Sequence, residues 1–174
     1  EDTSNVLAGK PTENPVFAGL ARGVETHNIH HRHPFDLLQG FEMDAEDRVY
    51  ETVQDILDYS YHVAGVVGIM IANIMGVRDS ATLDRASDLG LAFQLTNIAR
   101  DVIDDAKADR VFVPQDLLLK YGAPIDASEL AKRENWPAAH AAACEQLDIA
   151  EQYYQSAKVG IKELDFRCAW AISA

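Results

Sequence analysis

Apolar side chains recur every three or four residues along most of this chain, which is the spacing of one face of an α-helix. No segment shows a convincing alternation of apolar and polar positions, the pattern typical of a half-buried strand. Gly and Pro residues mark short connections between the periodic stretches. The pattern therefore predicts an all-α fold, and the length predicts a single domain over residues 1–174.

Capping residues place the ends of the predicted helices. Asn14 and Pro15 pair a favoured N-cap with a favoured first helical residue, and Gly76 is a favoured C-terminal cap. The short apolar stretch Arg110–Pro114 is predicted to be an extended flap. Helices are expected over about 15–28, from Pro34 through Met43, from about Asp47 to Met75, from a Ser80 cap to about Ala106, from Asp116, from Asn135 to about Gly160 and from about Asp165.

A polar stripe interrupts the apolar pattern of the helix that follows Ser80. Asn97, Asp101 and Asp105 recur every fourth residue, and Gln94 precedes them by three. A spacing of four drifts only about 40° around a helix, so the oxygens share one face. Two carboxylates at this spacing repel by roughly 0.2–0.5 kcal/mol in an isolated helix, and Mg²⁺ prefers oxygen ligands and often bridges carboxylates to phosphates. The stripe therefore either holds Mg²⁺ in a cavity or is an acidic helix end that faces water.

Four segments together resemble the squalene/phytoene synthase family. Gln94–Ala106, with Asp109–Pro114 after it, is similar to the family's second aspartate-rich motif. Tyr59–Gly68 resembles its tyrosine and Val-Ala-Gly-x-Val-Gly helix, and Gly40–Asp44 and Phe166–Ile172 resemble two further segments. The matches fall in the family's order and cover most of residues 35–174. Other class I terpenoid synthases also use acidic helix stripes, but they do not explain the Val-Ala-Gly-x-Val-Gly match.

The resemblance implies a fold and a reaction. The expected fold is a helical bundle of the class I isoprenoid synthase type, here incomplete. The sequence motifs most resemble those of bacterial members that act in carotenoid biosynthesis. These members condense two geranylgeranyl diphosphates head to head to a cyclopropylcarbinyl diphosphate, which rearranges to phytoene. The alternatives are squalene or dehydrosqualene formation from farnesyl diphosphate, and a non-catalytic relative that acts as an assembly factor. The intact carboxylates of Asp101 and Asp105 favour catalysis over the assembly role.

The resemblance also assigns roles to individual residues. Asn97, Asp101 and Asp105 are expected to hold Mg²⁺, for which Mn²⁺ can substitute, and no NADPH is expected for phytoene formation. Tyr59 is expected to be catalytic together with the two aspartates. The residues expected to contact the prenyl diphosphate substrate are Gln94, Arg100 and Arg110 at the diphosphate and Val63, Ala64, Gly65, Val67 and Gly68 along the prenyl chain.

Each of these roles has a structural alternative. Arg100 and Arg110 can form salt bridges to Asp104 or Asp109, and Tyr59 can be a core residue with a satisfied hydroxyl. The two glycines of the Val63–Gly68 stretch sit inside a helix, where each costs roughly 1 kcal/mol relative to Ala. Their small size allows close approach either of a ligand or of another helix.

The chain departs from the family in one respect. The family carries a first DxxxD motif on an earlier helix that faces the second, and the sequence before Gly40 has no acidic pair at that spacing. The helices that follow the family's Ala-Trp-Ala-Ile segment are also missing. The chain begins at Glu1 and stops after Ala174, and we interpret both ends as cuts through a longer protein. The 174-residue piece alone is expected to be inactive.

The remaining polar clusters are interpreted as structural. His27, His30, His31 and His33 match no zinc pattern and are expected to be solvated loop residues. Asp84 and Asp88 repeat the DxxxD spacing about four turns before Asp101, too far along the helix to face it, and are expected to be solvated residues near the helix N-terminus. The isolated Cys144 and Cys168 are expected to be reduced, partly buried thiols.

The composition of the chain limits the classes of partner that it can bind and its location in the cell. The net charge of −13, without a Lys/Arg cluster, argues against nucleic-acid binding and against electrostatic docking to anionic lipid. The longest apolar run, Val63–Ala72, is far shorter than the roughly 18 residues of a membrane span. We expect a cytoplasmic protein that contacts the inner membrane peripherally when it releases a lipid product. No pattern in the sequence predicts an oligomeric state.

Overall fold

The computed structural model describes residues 1–46 and 48–173, and within these residues it contains ten α-helices and no β-strand. The prediction of an all-α fold is confirmed. The helices are α1 (Asp2–Leu7), α2 (Pro15–His27), α3 (Arg32–Ala45), α4 (Val53–Ser60), α5 (Val66–Ile74), α6 (Ser80–Lys107), α7 (Gln115–Lys120), α8 (Ala127–Leu130), α9 (Trp136–Ile161) and α10 (Phe166–Ser173).

Helix α6 is the centre of the fold. It packs along α9 and also against α4, α5 and α8, and its apolar residues from Leu95 onward lie in the main core. Buried alanines on α9, including Ala139, Ala142 and Ala143, give that helix a smooth surface. Within the interface, the fully buried Gln146 donates from Nε2 to the carbonyl oxygen of Leu95 at 2.9 Å. The backbone of α6 is therefore held in place by packing on several sides.

The ends of α6 fall within one residue of the prediction. The N-cap is Asp79 rather than Ser80, because the Asp79 carboxylate accepts hydrogen bonds from the backbone N–H of Thr82 at 2.9 Å and from its hydroxyl at 3.0 Å. Ser80 is the first helical residue. A carboxylate is also favoured over a hydroxyl at the positive end of the helix dipole. At the other end the helix continues to Lys107.

The long helix predicted from Asp47 to Met75 is shorter and is interrupted. Asp47 lies outside the described residues, and the chain over 48–52 is not helical. Helix α4 begins at Val53 because Thr52 and Asp55 form a capping box, with the Thr52 hydroxyl accepting from the Asp55 N–H at 3.3 Å. A π-helical turn, Tyr61–Gly65, then joins α4 to α5.

The predicted stop at Gly76 is confirmed. Gly76 has φ of +94°, and its N–H bonds to the carbonyl oxygen of Asn73 at 3.1 Å. The N–H of Val77 bonds to the carbonyl oxygen of Ala72 at 2.9 Å, which completes the pattern of a Schellman motif.

The capping box gives a stability prediction. Thr52→Ala is expected to lower the free energy of unfolding by about 1 kcal/mol, because the Asp55 N–H loses its side-chain acceptor. Denaturant unfolding, monitored by circular dichroism, measures this change. The matched control is Thr26→Ala, at an exposed position of α2, which is expected to change stability by less than about 0.5 kcal/mol. Equal stability of the two variants would show that the box does not stabilise α4.

Elsewhere the predicted elements are present with small shifts. Asn14 caps α2, accepting from the N–H of Val16 at 3.0 Å. Helix α3 begins at Arg32, two residues before the predicted Pro34. The flap Arg110–Pro114 is confirmed as non-helical. Helices α1 and α8 were not predicted. Among the described residues, the helices are too short or too polar to cross a bilayer.

Candidate active site

The polar stripe lies on one uninterrupted helix. Gln94, Asn97, Asp101 and Asp105 all belong to the second half of α6, while intervening residues such as Ile98 and Val102 are buried in the core. Asn97 is exposed, and the side chains of Asp101 and Asp105 are partly exposed. The core contacts on the opposite side of the helix fix the direction in which the stripe faces.

Arg100 pairs with the stripe itself. Its Nε and Nη2 donate to the two carboxylate oxygens of Asp101 at 2.7 and 2.6 Å. These hydrogen bonds lower the pKa of Asp101 below its usual range. Arg100 therefore forms a salt bridge with Asp101 and not with the expected Asp104. The Asp104 carboxylate accepts from Lys107 at 2.8 Å.

Asp105 has the opposite electrostatic environment. Burial raises the pKa of Asp105, and the negative charge of Asp101 one turn away raises it further. A partly buried carboxylate next to a second carboxylate gains from a bound cation.

The donor set suits Mg²⁺ held jointly with a phosphate. Within the part of the chain that the structure describes, no three His, Cys, Asp or Glu side chains converge as a complete metal site. Two carboxylates and the Asn97 amide share the stripe, and all three offer oxygen donors. Mg²⁺ is commonly bound by one or two carboxylates, with water and substrate phosphates completing its coordination. The residues therefore fit this ion.

Tyr59 is buried next to the stripe-bearing helix. Its side chain is 4% exposed, and its hydroxyl donates to Oδ1 of Asp44 at 2.8 Å. The ring stacks on Phe112 with centroids 5.6 Å apart and lies 5.1 Å from the ring of Tyr50. Burial, followed by the Asp44 carboxylate, raises the pKa of Tyr59, and burial raises the pKa of Tyr50 to about 12. Both phenols are therefore protonated near neutral pH.

Arg110 connects the flap to this aromatic group. Its Nη2 donates to the carbonyl oxygen of Asp44 at 3.1 Å and to Oδ1 of the same residue at 3.3 Å. The guanidinium lies over the ring of Phe112 at 4.9 Å. The N–H of Arg110 also bonds to the carbonyl oxygen of Asp105 at 3.0 Å. The expected alternative partner, Asp109, is replaced by Asp44.

An apolar cavity of about 490 Å³ lies along the first half of α6 and reaches Phe93, the residue before Gln94. On this helix it is lined by Phe93, Gly90, Leu89, Ala86, Arg85 and Thr82, which precede Gln94 at helical spacing. The opposite wall comes from α5, the end of α9 and α10. Of the residues predicted to contact a prenyl chain, the lining includes Val63, Ala64, Val67 and Gly68. Along α6 the apolar cavity beside the first half of the helix is thus followed by the oxygen donors of the second half.

The glycines of the Val63–Gly68 stretch lie in close contact with α6, which is one of the two alternatives that their small size allows. A Cβ on Gly68 would overlap the carbonyl group of Ala86, coming within 3.0 Å of its carbon atom. A Cβ on Gly65 would lie 2.6 Å from Cδ1 of Leu91, and one on Gly90 would lie 2.6 Å from the carbonyl carbon of Ala64. Close packing against α6 therefore accounts for Gly65 and Gly68, and Gly68 also lines the cavity.

The chain is similar to known proteins both in sequence and in fold. A family model described as squalene/phytoene synthase matches residues 1–174. The chain belongs to the squalene/phytoene synthase family. The crystal structure of squalene synthase HpnC from Alicyclobacillus acidocaldarius matches with a TM-score of 0.86 at 22% identity, covering 97% of this chain and 63% of that one. At this identity the match establishes the fold, and the predicted isoprenoid synthase type of helical bundle is confirmed.

Two relatives within the squalene/phytoene synthase family are closer in sequence. The 15-cis-phytoene synthase of Paracoccus sp. is 50% identical over 173 residues, which covers 99% of this chain and 55% of the relative. The phytoene synthase of Pseudescherichia vulneris is 49% identical over 171 residues, covering 98% of this chain and 55% of the relative. The chain therefore spans about half the length of the curated relatives it matches.

The two aspartates near the start of α6, Asp84 and Asp88, differ in their exposure to solvent. Asp84 is exposed, as expected. Asp88 is partly buried and accepts hydrogen bonds from Ser156 of α9 and from Arg85, because α9 packs alongside this turn. The expectation of a solvated Asp88 is therefore wrong, and the side chain links two helices.

The other polar residues mostly match their structural interpretation. His30 and His31 are exposed in the connection between α2 and α3. His27 and His33 are half-buried, so they are not fully solvated, and burial lowers the pKa of His33. Cys144 and Cys168 are free thiols, as expected, although Cys144 is exposed rather than partly buried.

Sequence reasoning missed three residues around Tyr59. Asp44 lies in a segment that resembles the family but received no role, and neither Tyr50 nor Phe112 was singled out. Asp44 and Tyr59 are 15 residues apart, on different helices, so no helical spacing links them. The available signal was the presence of a carboxylate and a phenol in two segments that both resemble the family.

Proposed function

We propose that the intact protein is a phytoene synthase of carotenoid biosynthesis. It condenses two geranylgeranyl diphosphates head to head to a cyclopropylcarbinyl diphosphate, which rearranges to phytoene. The observation that carries this proposal is the order of features along α6, where an apolar cavity beside the first half of the helix is followed by oxygen donors on the second half. A prenyl diphosphate has the same order of chemistry, a charged head and an apolar tail. The names of the two relatives at 50% and 49% identity support the choice of product.

At the stripe, the proposed roles are those of ligands. Asn97, Asp101 and Asp105 would hold Mg²⁺, or Mn²⁺ in its place, together with the diphosphate. When bound, the ion neutralises the charge that develops on the departing diphosphate. Gln94, the residue after Phe93 of the cavity lining, would contact the substrate at its diphosphate end.

The arginines and the cavity have separate tasks. The paired donors of Arg100 are bonded to the Asp101 carboxylate in this structure, and they would suit bidentate binding of a phosphate group in its place. Arg110 adds a second positive charge beside the end of the stripe. The walls formed by Val63, Val67 and Phe93 exclude water, which would otherwise quench a carbocation. Release of the water-insoluble product implies brief peripheral contact with a membrane surface.

Product analysis tests the proposal directly. The intact gene product, purified with Mg²⁺, is incubated separately with geranylgeranyl and farnesyl diphosphate, with and without NADPH, and the products are identified by mass spectrometry. We expect phytoene from the longer substrate at a rate independent of NADPH. Residues 1–174 alone, which supply two carboxylates at the stripe, are expected to give no product.

Three results would contradict the proposal in different ways. A higher kcat/KM for farnesyl diphosphate, with squalene or dehydrosqualene as product, would assign the protein to another branch of the family. Absence of any product from the intact protein, despite a normal fold, would favour a non-catalytic assembly factor. Product formed by residues 1–174 alone would show that this part contains the complete catalytic machinery.

A further inference from the structure

Asp44 joins three separate parts of the chain. It lies in the last turn of α3, and its Oδ1 accepts from the hydroxyl of Tyr59 on α4 at 2.8 Å. The same oxygen accepts from Arg110 of the flap at 3.3 Å, and the Asp44 carbonyl oxygen accepts from the same guanidinium at 3.1 Å. One residue therefore fixes both a phenol and a guanidinium.

This junction is tied to the acidic end of α6. Arg110 lies three residues beyond the end of α6, and its backbone N–H bonds to the carbonyl oxygen of Asp105 in the last turn of that helix. Its guanidinium lies over Phe112, whose ring stacks on Tyr59. The position of the Arg110 side chain is thus set by a carboxylate from α3 on one side and by an aromatic ring on the other.

The solvent exposure of the Asp44–Arg110 ion pair indicates that the pair orients the Arg110 side chain and contributes little to folding stability. The side chains of Asp44 and Arg110 are 35% and 39% exposed, and ion pairs this accessible contribute little to folding stability. Without the Asp44 carboxylate, the guanidinium would be free to turn toward the nearby negative charge of Asp105. Such a pairing would compete with any cation or phosphate at the stripe.

We propose that Asp44 is a positioning residue that holds Tyr59 and Arg110 so that the guanidinium faces an incoming diphosphate. The role rests on the proposed function for the identity of the substrate, but not for the existence of an anion site. Asp44 itself acts only through its two partners. Its loss should therefore weaken diphosphate binding no further once Arg110 has been replaced.

The chain offers a matched control on the same helix. Asp36, two turns earlier on α3, accepts from the hydroxyl of Tyr61 at 3.0 Å and from Nε of Arg32 at 2.9 Å. It forms the same kind of tyrosine–carboxylate–arginine group with residues that have no proposed part in the site. Asp36→Asn therefore removes equivalent interactions from α3 without touching the Asp44 junction.

The positioning role of Asp44 can be tested without measuring turnover. The binding of inorganic pyrophosphate, in the presence of Mg²⁺, to the intact gene product is measured by calorimetry. Asp44→Asn is expected to raise the pyrophosphate Kd by about tenfold, the loss typical of a misplaced charge-assisted contact. Asp44→Glu should recover part of the affinity, and Asp36→Asn should stay within about twofold of the unmodified protein. The double variant Asp44→Asn/Arg110→Lys should bind no more weakly than the weaker single variant.

The possible outcomes separate positioning from structure and from the proposed activity. An unchanged pyrophosphate Kd in Asp44→Asn, or effects of the two substitutions that simply add, would overturn the proposal. Equal losses in Asp44→Asn and Asp36→Asn, with lowered melting temperatures, would assign both residues to folding and overturn it as well. Weaker binding in Asp44→Asn alone would support it, even if product analysis rejected phytoene synthesis.

Discussion

Replacing Asp101 by asparagine in the intact protein is expected to reduce kcat/KM by about a hundredfold or more, while leaving the melting temperature nearly unchanged. The substitution keeps the size of the side chain and removes its charge. Asp101 and Asp105 repel each other in the free protein, so the loss of one charge has little structural cost. The ion pair with Arg100 is exposed, with that arginine 67% accessible, and contributes little to stability.

Asp84→Asn is the matched control for this experiment. Asp84 is exposed on the same helix, and the same chemical change there should leave both kcat/KM and the melting temperature near those of the unmodified protein. Steady-state kinetics at saturating Mg²⁺, together with thermal melts, measure both quantities. Normal turnover in Asp101→Asn would contradict a role at the metal, and a large drop in melting temperature would indicate a structural role instead.

The largest expected effect on stability comes from Gly68→Ala. The new methyl group would overlap the carbonyl group of Ala86, a backbone atom that cannot turn aside as a side chain can. Overpacking a core typically costs 1–3 kcal/mol, and a clash with backbone should fall at about the upper end of that range. The loss of activity should then be the same for farnesyl and geranylgeranyl diphosphate, because the fold and not the cavity is affected.

Gly23→Ala is the appropriate comparison, because it also places a methyl group on a glycine inside a helix. At Gly23, on α2, a Cβ would meet open space, so alanine should raise the free energy of unfolding by up to about 1 kcal/mol. Thermal melts and the ratio of kcat/KM for the two substrates provide the test. A ratio that falls selectively for the longer substrate, without a change in melting temperature, would show instead that Gly68 contacts the prenyl chain.

The features that could be predicted from the sequence are those set by neighbouring residues. The Asn14 cap and the Gly76 stop depend on a few adjacent residues, and both are present. The stripe on α6 follows from a spacing of four, so its alignment was predictable as soon as the helix was. The start of α4 was missed because an apolar period was extended past Thr52, although the Thr52-x-x-Asp55 pair marks the boundary.

The features that could not be predicted depend on contacts between distant segments. The glycines of the Val63–Gly68 stretch showed that something approaches closely, but only the fold shows that the neighbour is α6, where Gly90 makes the reciprocal approach to Ala64. Arg110 pairs with Asp44, 66 residues away, rather than with its sequence neighbour Asp109. Local spacing has no information on such partners.

Because the oxygen donors and the cavity lie along a single helix, the head-to-tail distance of a substrate bound as proposed can be measured in residues of α6. Phe93 lies about 12 Å from Asp101 along the helix axis, and Thr82 lies about 28 Å from it. One turn rises about 5.4 Å, comparable to the length of one five-carbon prenyl unit. Under the proposed function, the size of the side chains at Phe93, Leu89 and Ala86 would therefore set the length of the substrate in steps of about one unit, independently of the charged end of the site.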